Sequence, residues 1–352
     1  MSENPLCISV DAMGGDHSPR IVIEGISIAS KKNPDIRFIV FGDEEKVLEE
    51  MKKFPNLEKV CELRHSPEVV KNEDKPSQVI RNKNTSMYQA IEAVRNGQAA
   101  AVVSAGNTGA LMAISKMLLK TIQKIHRPAI ISIMPHSHGK YVMLDLGANS
   151  ECTAVNLAEF AVMGNIFAKH ALGLEKPRIA LLNIGSEEMK GKEEIRHAAQ
   201  MLRSAAEDLN LDFIGYIEPH DIPLGKADVV VSDGFAGNVA LKSIEGTAKL
   251  IAKIFKDAVK SSPLSWVGLP FLYFAFRKVI KTMNPKLYNG AMFVGLNGLS
   301  VKSHGGADAF SFSVAINNAA VLVRQDFVPT IKAELEDVDL EEISQDVFYE
   351  VL

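Results

Sequence analysis

The stretch Val10-Asp11-Ala12-Met13-Gly14-Gly15-Asp16-His17-Ser18-Pro19, residues 10–19, decides the fold. It closes an apolar run, 6–10, that reads as a buried strand. The run stops at an acid, two glycines, a second acid, a histidine and a serine. Pro19 suits the first turn of a helix and Ser18 suits its cap. Core packing does not ask for Asp11, Gly14, Gly15 and His17 together at a strand end. A site at the carboxyl edge of an α/β sheet does.

Outward from this stretch, short apolar runs recur at 36–41, 100–104, 129–134, 141–146, 178–184, 213–216 and 229–232. Helical patterns lie at 19–31, 44–53, 86–96, 108–120, 155–172, 193–209 and 236–260. This alternation predicts a mostly parallel sheet with helices on both faces. The strands are apolar throughout, as a sheet covered on both sides requires. The runs at 129–134 and 141–146 flank His136, Ser137, His138 and Gly139, a turn that allows an antiparallel hairpin and a mixed sheet. No internal repeat or low-complexity linker interrupts the chain, so one continuous domain over 1–330 is expected. After Lys332 the charges are acidic, and 331–352 reads as an extension with one or two small surface helices.

The chain has 352 residues, 47% of them apolar and 23% charged, with a formal net charge of −4. That balance fits a soluble globular protein and offers no global basic field for nucleic acid. Cys7, Cys61 and Cys152 are widely spaced and form no CxxC pair, which argues for a reducing compartment. The early apolar run ends at Asp11 after a few residues, too short for a signal peptide, so a cytoplasmic location is expected.

Five further motifs repeat the grammar of residues 10–19. In Ser104-Ala105-Gly106-Asn107-Thr108-Gly109 a strand gives way to a helix whose exposed N–H groups can hold an anion. Its plain alternative is a tight turn that uses glycine for close approach. In Asp145-Leu146-Gly147-Ala148-Asn149 an acid ends a strand, with an Asx-turn as the alternative. Asn183-Ile184-Gly185 leads into a loop carrying Lys190, a residue type that is mostly solvated. Ser232-Asp233-Gly234 with Gly237 and Asn238 opens the longest helix. Lys302 and His304 fall on alternate positions of a predicted strand, with a helix expected from about Gly306. Taken together, glycine-framed donors and cationic side chains at strand ends form a phosphate-binding constellation. No GxxxxGK[ST] or GxGxxG motif with a following acid occurs, so no nucleotide cofactor is indicated. His136 and His138 have no local carboxylate and read as loop residues rather than metal ligands.

Seven stretches of this chain closely resemble the bacterial phosphate acyltransferase family called PlsX. They are VDAMGGDHSP (10–19), KPSQVIRNKNTSM (75–87), VVSAGNTGALMA (102–113), LDLGAN (144–149), LLNIGSEEMKG (181–191), VVSDGFAGNVALKSIEG (230–246) and LNGLSVKSHGGAD (296–308). Ser18 and Ser232 depart from the family's usual Gly and Cys. The resemblance implies a three-layer α/β/α sandwich like isopropylmalate dehydrogenases and phosphate acetyltransferases, usually homodimeric. It implies transfer of a long-chain acyl group from acyl carrier protein to inorganic phosphate; no cofactor is expected and no residue is assigned to a metal. The acyl phosphate would feed the first acylation of glycerol 3-phosphate by a downstream membrane acyltransferase.

That chemistry suits the residues. Phosphate is already anionic and needs positioning against the thioester. Lys190 and Lys302 are assigned to it, with Asp11, Gly14, Gly15, Ser104, Gly106, Asn107, Thr108, Gly109, Asn149, Gly234 and Gly237 as its cradle. The oxyanion needs a fixed donor: Asn238, Asn107 or a backbone N–H. Asp233 would orient a base or donor, and His17 or His304 would protonate the leaving thiolate. From Ser261 to Phe276 no residue is charged, and Arg277, Lys278 and Lys281 follow. Sixteen uncharged residues fall short of the ~20 a spanning helix needs. The segment's plain alternative is burial in a dimer core; the resemblance and a lipid-like product favour placing Trp266, Leu269, Phe271 and Phe274 at the tip of a helical hairpin, about 245–288, that dips into the inner membrane surface. Arg81, Lys83, Arg277 and Lys278 are candidates for docking an acidic carrier. Two rivals share these features: an acetyl-transferring enzyme that uses acyl-CoA, and a membrane-recruited scaffold without turnover.

Overall fold

The computed structural model describes residues 6–261 and 285–336. Eleven strands form one sheet: β1 (Cys7–Asp11), β2 (Arg37–Gly42), β3 (Cys61–His65), β4 (Ala101–Ser104), β5 (Ala129–His136), β6 (Gly139–Leu144), β7 (Arg178–Leu182), β8 (Asp212–Ile217), β9 (Val229–Val231), β10 (Ala291–Val294) and β11 (Leu299–Lys302). Among the described residues ten α-helices accompany it: α1 (Arg20–Lys32), α2 (Glu44–Met51), α3 (Pro76–Val79), α4 (Ser86–Arg95), α5 (Thr108–Leu119), α6 (Ala154–Leu172), α7 (Glu193–Ser204), α8 (Gly234–Ser261), α9 (Ala309–Arg324) and α10 (Phe327–Glu336). One buried cluster joins Ile8, Val10, Phe160, Phe167 and Phe312 on one face of the sheet; a second joins Ile39, Val102, Ile114, Tyr141 and Phe293 on the other. These are the three layers expected from the alternation.

The strand order is β3-β2-β1-β4-β11-β10-β5-β6-β9-β7-β8. The expected hairpin is present: β5 and β6 are antiparallel, with His136 opposite Gly139. β10, which carries no strand signal of its own beyond four residues, is antiparallel to both β11 and β5. Two parallel blocks result, and they point in opposite directions. β3, β2, β1, β4 and β11 run one way, and β6, β9, β7 and β8 run the other. Loops after β1, β4 and β11 therefore leave at one edge of the sheet, and loops after β6, β9 and β7 at the opposite edge.

Local differences from the sequence reading have simple causes. Pro19, not Ser18, is the N-cap of α1, because the Ser18 hydroxyl donates to the Gly14 carbonyl instead. α7 stops at Ser204 rather than 209; Leu209 and Asn210 close back on the turn, with Asn210 at φ +47°. β11 ends at Lys302, so His304 lies beyond the strand. The following helix begins at Ala309 rather than near Gly306, because Asp308 caps it by accepting from Ser311 N at 2.8 Å. α10 crosses residue 330 and buries Ile331 and Leu335 in the main core.

α8 runs to Ser261, where the described residues break off, and they resume at a short 3₁₀ turn, Pro285–Tyr288; the turn and return of the expected hairpin, about 245–288, lie outside them. Trp266, Leu269, Phe271 and Phe274 lie outside the described residues. Among the described residues no helix is long and apolar enough to cross a membrane.

Candidate active site

At the first edge, β1, β4 and β11 end side by side, with Lys302 paired to Ser104. Asp11 is fully buried there and accepts from Ser86 Oγ at 2.6 Å, Ser104 Oγ at 2.7 Å and Met13 N at 3.2 Å. Burial pushes its carboxyl above the usual range, and these hydrogen bonds oppose the shift. Ser104 Oγ also accepts from Gly106 N at 3.0 Å, which fixes the turn into α5. A Cβ on Gly14 would stand 2.6 Å from Gly106 N and 2.6 Å from Asp11 Oδ2, so only glycine lets the two motifs touch. Asp16 N donates to the Gly305 carbonyl at 3.0 Å and brings in the third motif. Sequentially remote loops, 11–17, 104–109 and 302–306, thus form one surface.

Asn107 caps α5 by accepting from Ala110 N at 3.0 Å, while its amide donates to Asn72 O at 3.0 Å. Thr108 and Gly109 follow as exposed first residues of α5, whose positive end suits an anion. Gly15 lies beside Ala105 and Gly305, and His17 is exposed on the turn into α1. The Lys302 ammonium donates to Ala105 O at 3.3 Å and to its neighbour Ser303 O. Burial lowers its pKa to about 8; Asp11 and Asp16 resist that shift and Lys242 adds to it. His304 is likewise lowered, by burial and then by Lys242. Gly306 N donates to His304 Nδ1 at 3.1 Å, which leaves the proton of the neutral ring on Nε2.

At the second edge, Asp145 is completely buried and accepts from Ile130 N, Gly147 N, Ala148 N, Asn149 N and Asn149 Nδ2 at 2.7–3.2 Å. The Asx-turn alternative is what forms here. Asn149 is occupied structurally, with its amide also on Pro128 O at 2.8 Å. Gly234 packs on Asn149, and Gly237 packs on the Asp145 carbonyl. Asp233 caps α8 by accepting from Ala236 N at 2.7 Å, and Lys192 pairs with it at 2.9 Å. Lys190 instead pairs with Glu187 at 2.6 Å on the exposed loop after β7. β7 lies five strand positions from β11, roughly 24 Å across the sheet. Lys190 is therefore not brought to Lys302.

α8 connects the edges. It starts beside Asp145 and packs Ala240, Leu241 and Ile244 on the second core cluster. Asn238 sits near Gly147 in its first turns, and Lys242, one turn on, is close enough to depress both Lys302 and His304. Sequence reasoning missed Lys242, although its spacing of four from Asn238 puts both on one helix face. It missed Lys192 too, for which no sequence signal stood out. Among the described residues no group of three or more His, Cys, Asp or Glu side chains is placed to hold a metal.

A family model described as "Fatty acid synthesis protein" matches residues 6–330. The phosphate acyltransferase of Rhodospirillum centenum is 50% identical over 336 residues, 95% of this chain and 94% of that protein. That of Paramagnetospirillum magneticum is 48% identical over 338 residues, 96% of each chain. A phosphotransacetylase from Streptococcus pyogenes has a similar fold, with TM-score 0.61 and 17% identity over 92% of this chain and 95% of that one. The family match takes in both sheet edges and every loop described above, and with nearly half of all positions identical over almost the whole length, this chain belongs to the phosphate acyltransferase family and is an acyltransferase.

Proposed function

We propose that the protein transfers a long-chain fatty acyl group from acyl carrier protein to inorganic phosphate, giving acyl phosphate for phosphatidic acid synthesis. The observation that carries this reading is the enclosed Lys302 ammonium at a glycine-lined edge, beside the N-terminus of α5 and within reach of Lys242. Asp11 and Asp16 keep Lys302 cationic at neutral pH against the cost of burial. Phosphate bound there adds negative charge and strengthens that effect. Lys242, rather than Lys190, is the second phosphate lysine in this reading.

A phosphate oxygen attacks the thioester carbonyl carbon, and the C=O electron pair moves onto oxygen. Asn238 or a backbone N–H donates to that oxyanion. Collapse expels the pantetheine sulfur, and the proton of hydrogen phosphate ends on it as free thiol. His304, neutral with its proton on Nε2, donates a hydrogen bond to the departing sulfur. His17 is the second candidate for that role. Lys192 and Asp233 hold the start of α8, and so the direction in which Asn238 points.

A homodimeric assembly, carrier docking on exposed Arg81 and Lys83, and peripheral attachment to the inner membrane face belong to the same reading. Its support is the family resemblance, the exposed Leu250, Ile251 and Ile254 with Lys249 and Lys253 on α8, and the apolar 261–276 stretch. The deciding assay is thiol release from palmitoyl carrier protein with and without phosphate, with acetyl-CoA as competitor. Phosphate-dependent release from the long-chain carrier is expected. Release indifferent to phosphate, or preference for acetyl-CoA, would overturn the proposal.

A further inference from the structure

We infer that Asn289 is a positioning residue for acyl transfer: its side chain fixes the Lys302–His304 segment against α9. This rests on the reading of Lys302 and His304 given above. Residues 303–306 follow a strand of four residues and have no regular structure to hold them. Their geometry depends on hydrogen bonds from elsewhere: Ser303 N donates to Ser104 O, Asp16 N donates to Gly305 O, and Asn289 adds two through its side chain. Its Nδ2 donates to Ser303 Oγ at 2.8 Å and to Ser311 O at 2.8 Å. Its Oδ1 accepts from His304 N at 3.0 Å. The orientation of the amide is unambiguous, because the Ser311 carbonyl only accepts and the His304 N–H only donates.

Ser303 passes this restraint to Lys302. It is completely buried, its N–H donates to Ser104 O at 2.8 Å, and its carbonyl receives the Lys302 ammonium. Asn289 is itself held firmly. Asn318 Nδ2, on α9, donates to the Asn289 carbonyl at 3.0 Å. At Gly290, with φ +107°, a Cβ would stand 2.8 Å from Ala315 Cα, so the chain lies flat on α9 only with glycine there. Lys286, three residues earlier, pairs with Asp308 at 2.6 Å. One polar side chain thus couples a packed helix to both groups assigned to phosphate and leaving sulfur. Buried packing alone would be served by an apolar residue; a donor and an acceptor aimed at two neighbouring active-site positions are not needed for that.

The test compares Asn289→Ala, Asn289→Asp and Ser303→Ala in the full-length protein, using the thiol-release assay. Asn289→Asp keeps the acceptor for His304 N but sets a carboxylate oxygen against the Ser311 carbonyl. Loss of kcat on the order of 10- to 100-fold is expected for Asn289→Ala, with KM for acyl carrier protein unchanged. The alkaline limb of kcat/KM for phosphate should move upward from about 8, as the Lys302 enclosure loosens and water enters. Ser303→Ala removes one bond of the set, and should show the same upward shift with a smaller rate loss. If Asn289→Ala fails to fold, Ser303→Ala and its pH profile decide. Variants that fold and keep both the wild-type rate and the wild-type alkaline limb would overturn the inference. Wild-type protein without phosphate-dependent release would instead overturn the proposed function.

Discussion

The two edges of the sheet use the same local grammar to different ends. At each, a strand ends in a small polar residue or an acid, glycines follow, and an Asn or Asp caps a helix. At the first edge Asp11 has two hydroxyl donors, a lysine is enclosed beside it, and the pKa values of Lys302 and His304 are displaced. At the second, Asp145 is saturated by four backbone N–H groups and one amide. A carboxylate with every lone pair engaged builds a loop. A lysine held by two carbonyls beside two acids has a donor left for a ligand.

Substituting one residue at each edge should separate these roles most sharply. Lys302→Met is expected to lower kcat/KM for phosphate by about 100- to 1000-fold. Its melting temperature should stay level or rise, since burial disfavours the charge that is removed. Asp145→Ala should do the reverse. It leaves several buried donors unpaired and is expected to cost about 3–5 kcal/mol of stability in denaturant titration. Activity per folded molecule at low temperature should change far less than for Lys302→Met. A stable Asp145→Ala protein with lost turnover would break the comparison.

The pH dependence gives the next largest effect. Lys302 has its folded pKa below the ordinary lysine value, so folding favours its neutral form. Its stability penalty is fully present below about 8 and is relieved as pH rises from there toward the usual lysine range. Phosphate affinity changes in the opposite sense, because it needs the ammonium. Above pH 8, kcat/KM for phosphate should fall by up to about tenfold per pH unit, and phosphate binding should take up a proton in calorimetry. A flat profile to pH 9.5 would show that Lys302 is not the anion ligand.

Smaller effects distinguish the lysines. Lys242→Ala should raise KM for phosphate several-fold, to a degree that shrinks with added salt, since it acts from an exposed helix face. Lys190→Ala should leave that KM within about twofold, because its pair with Glu187 is solvent-exposed. A tenfold change on Lys190→Ala would mean that a second copy brings the loop after β7 to the first edge. The membrane reading has its own measurement, flotation with anionic liposomes. Changing Trp266, Phe271 and Phe274 to Glu should abolish binding while thiol release persists.

Most of the layered architecture was legible locally. Unbroken apolar runs, helical periods between them and glycine at the strand ends state an α/β sheet, because a strand buried on both faces has no polar alternation to hide. Residues 11–17, 104–109 and 302–306 stood out because their polar and glycine content fits no core, but 145–149 stood out equally and forms a hydrogen-bonded turn. The caps were less legible. Ser18 donates back to Gly14 O and Asp308 accepts from Ser311 N, choices set by the local path of the chain, which sequence does not contain.

Strand direction was legible at the β5–β6 hairpin but not at β10. β10 pairs antiparallel on both sides and so leaves β5 running parallel to β11; it is the antiparallel β5–β6 pair that turns the second half of the sheet over and places Lys190 and Lys302 at opposite edges. No local pattern shows that Asn289 reaches His304 across 15 residues, or that α8 carries Lys242 to the opposite edge. Sequence by itself determined most of the strands and helices and which strand ends are polar and glycine-rich, since those follow from polarity and backbone freedom within a few residues. Only the tertiary structure decided which ends meet, because pairing direction and burial are set by contacts between residues far apart along the chain.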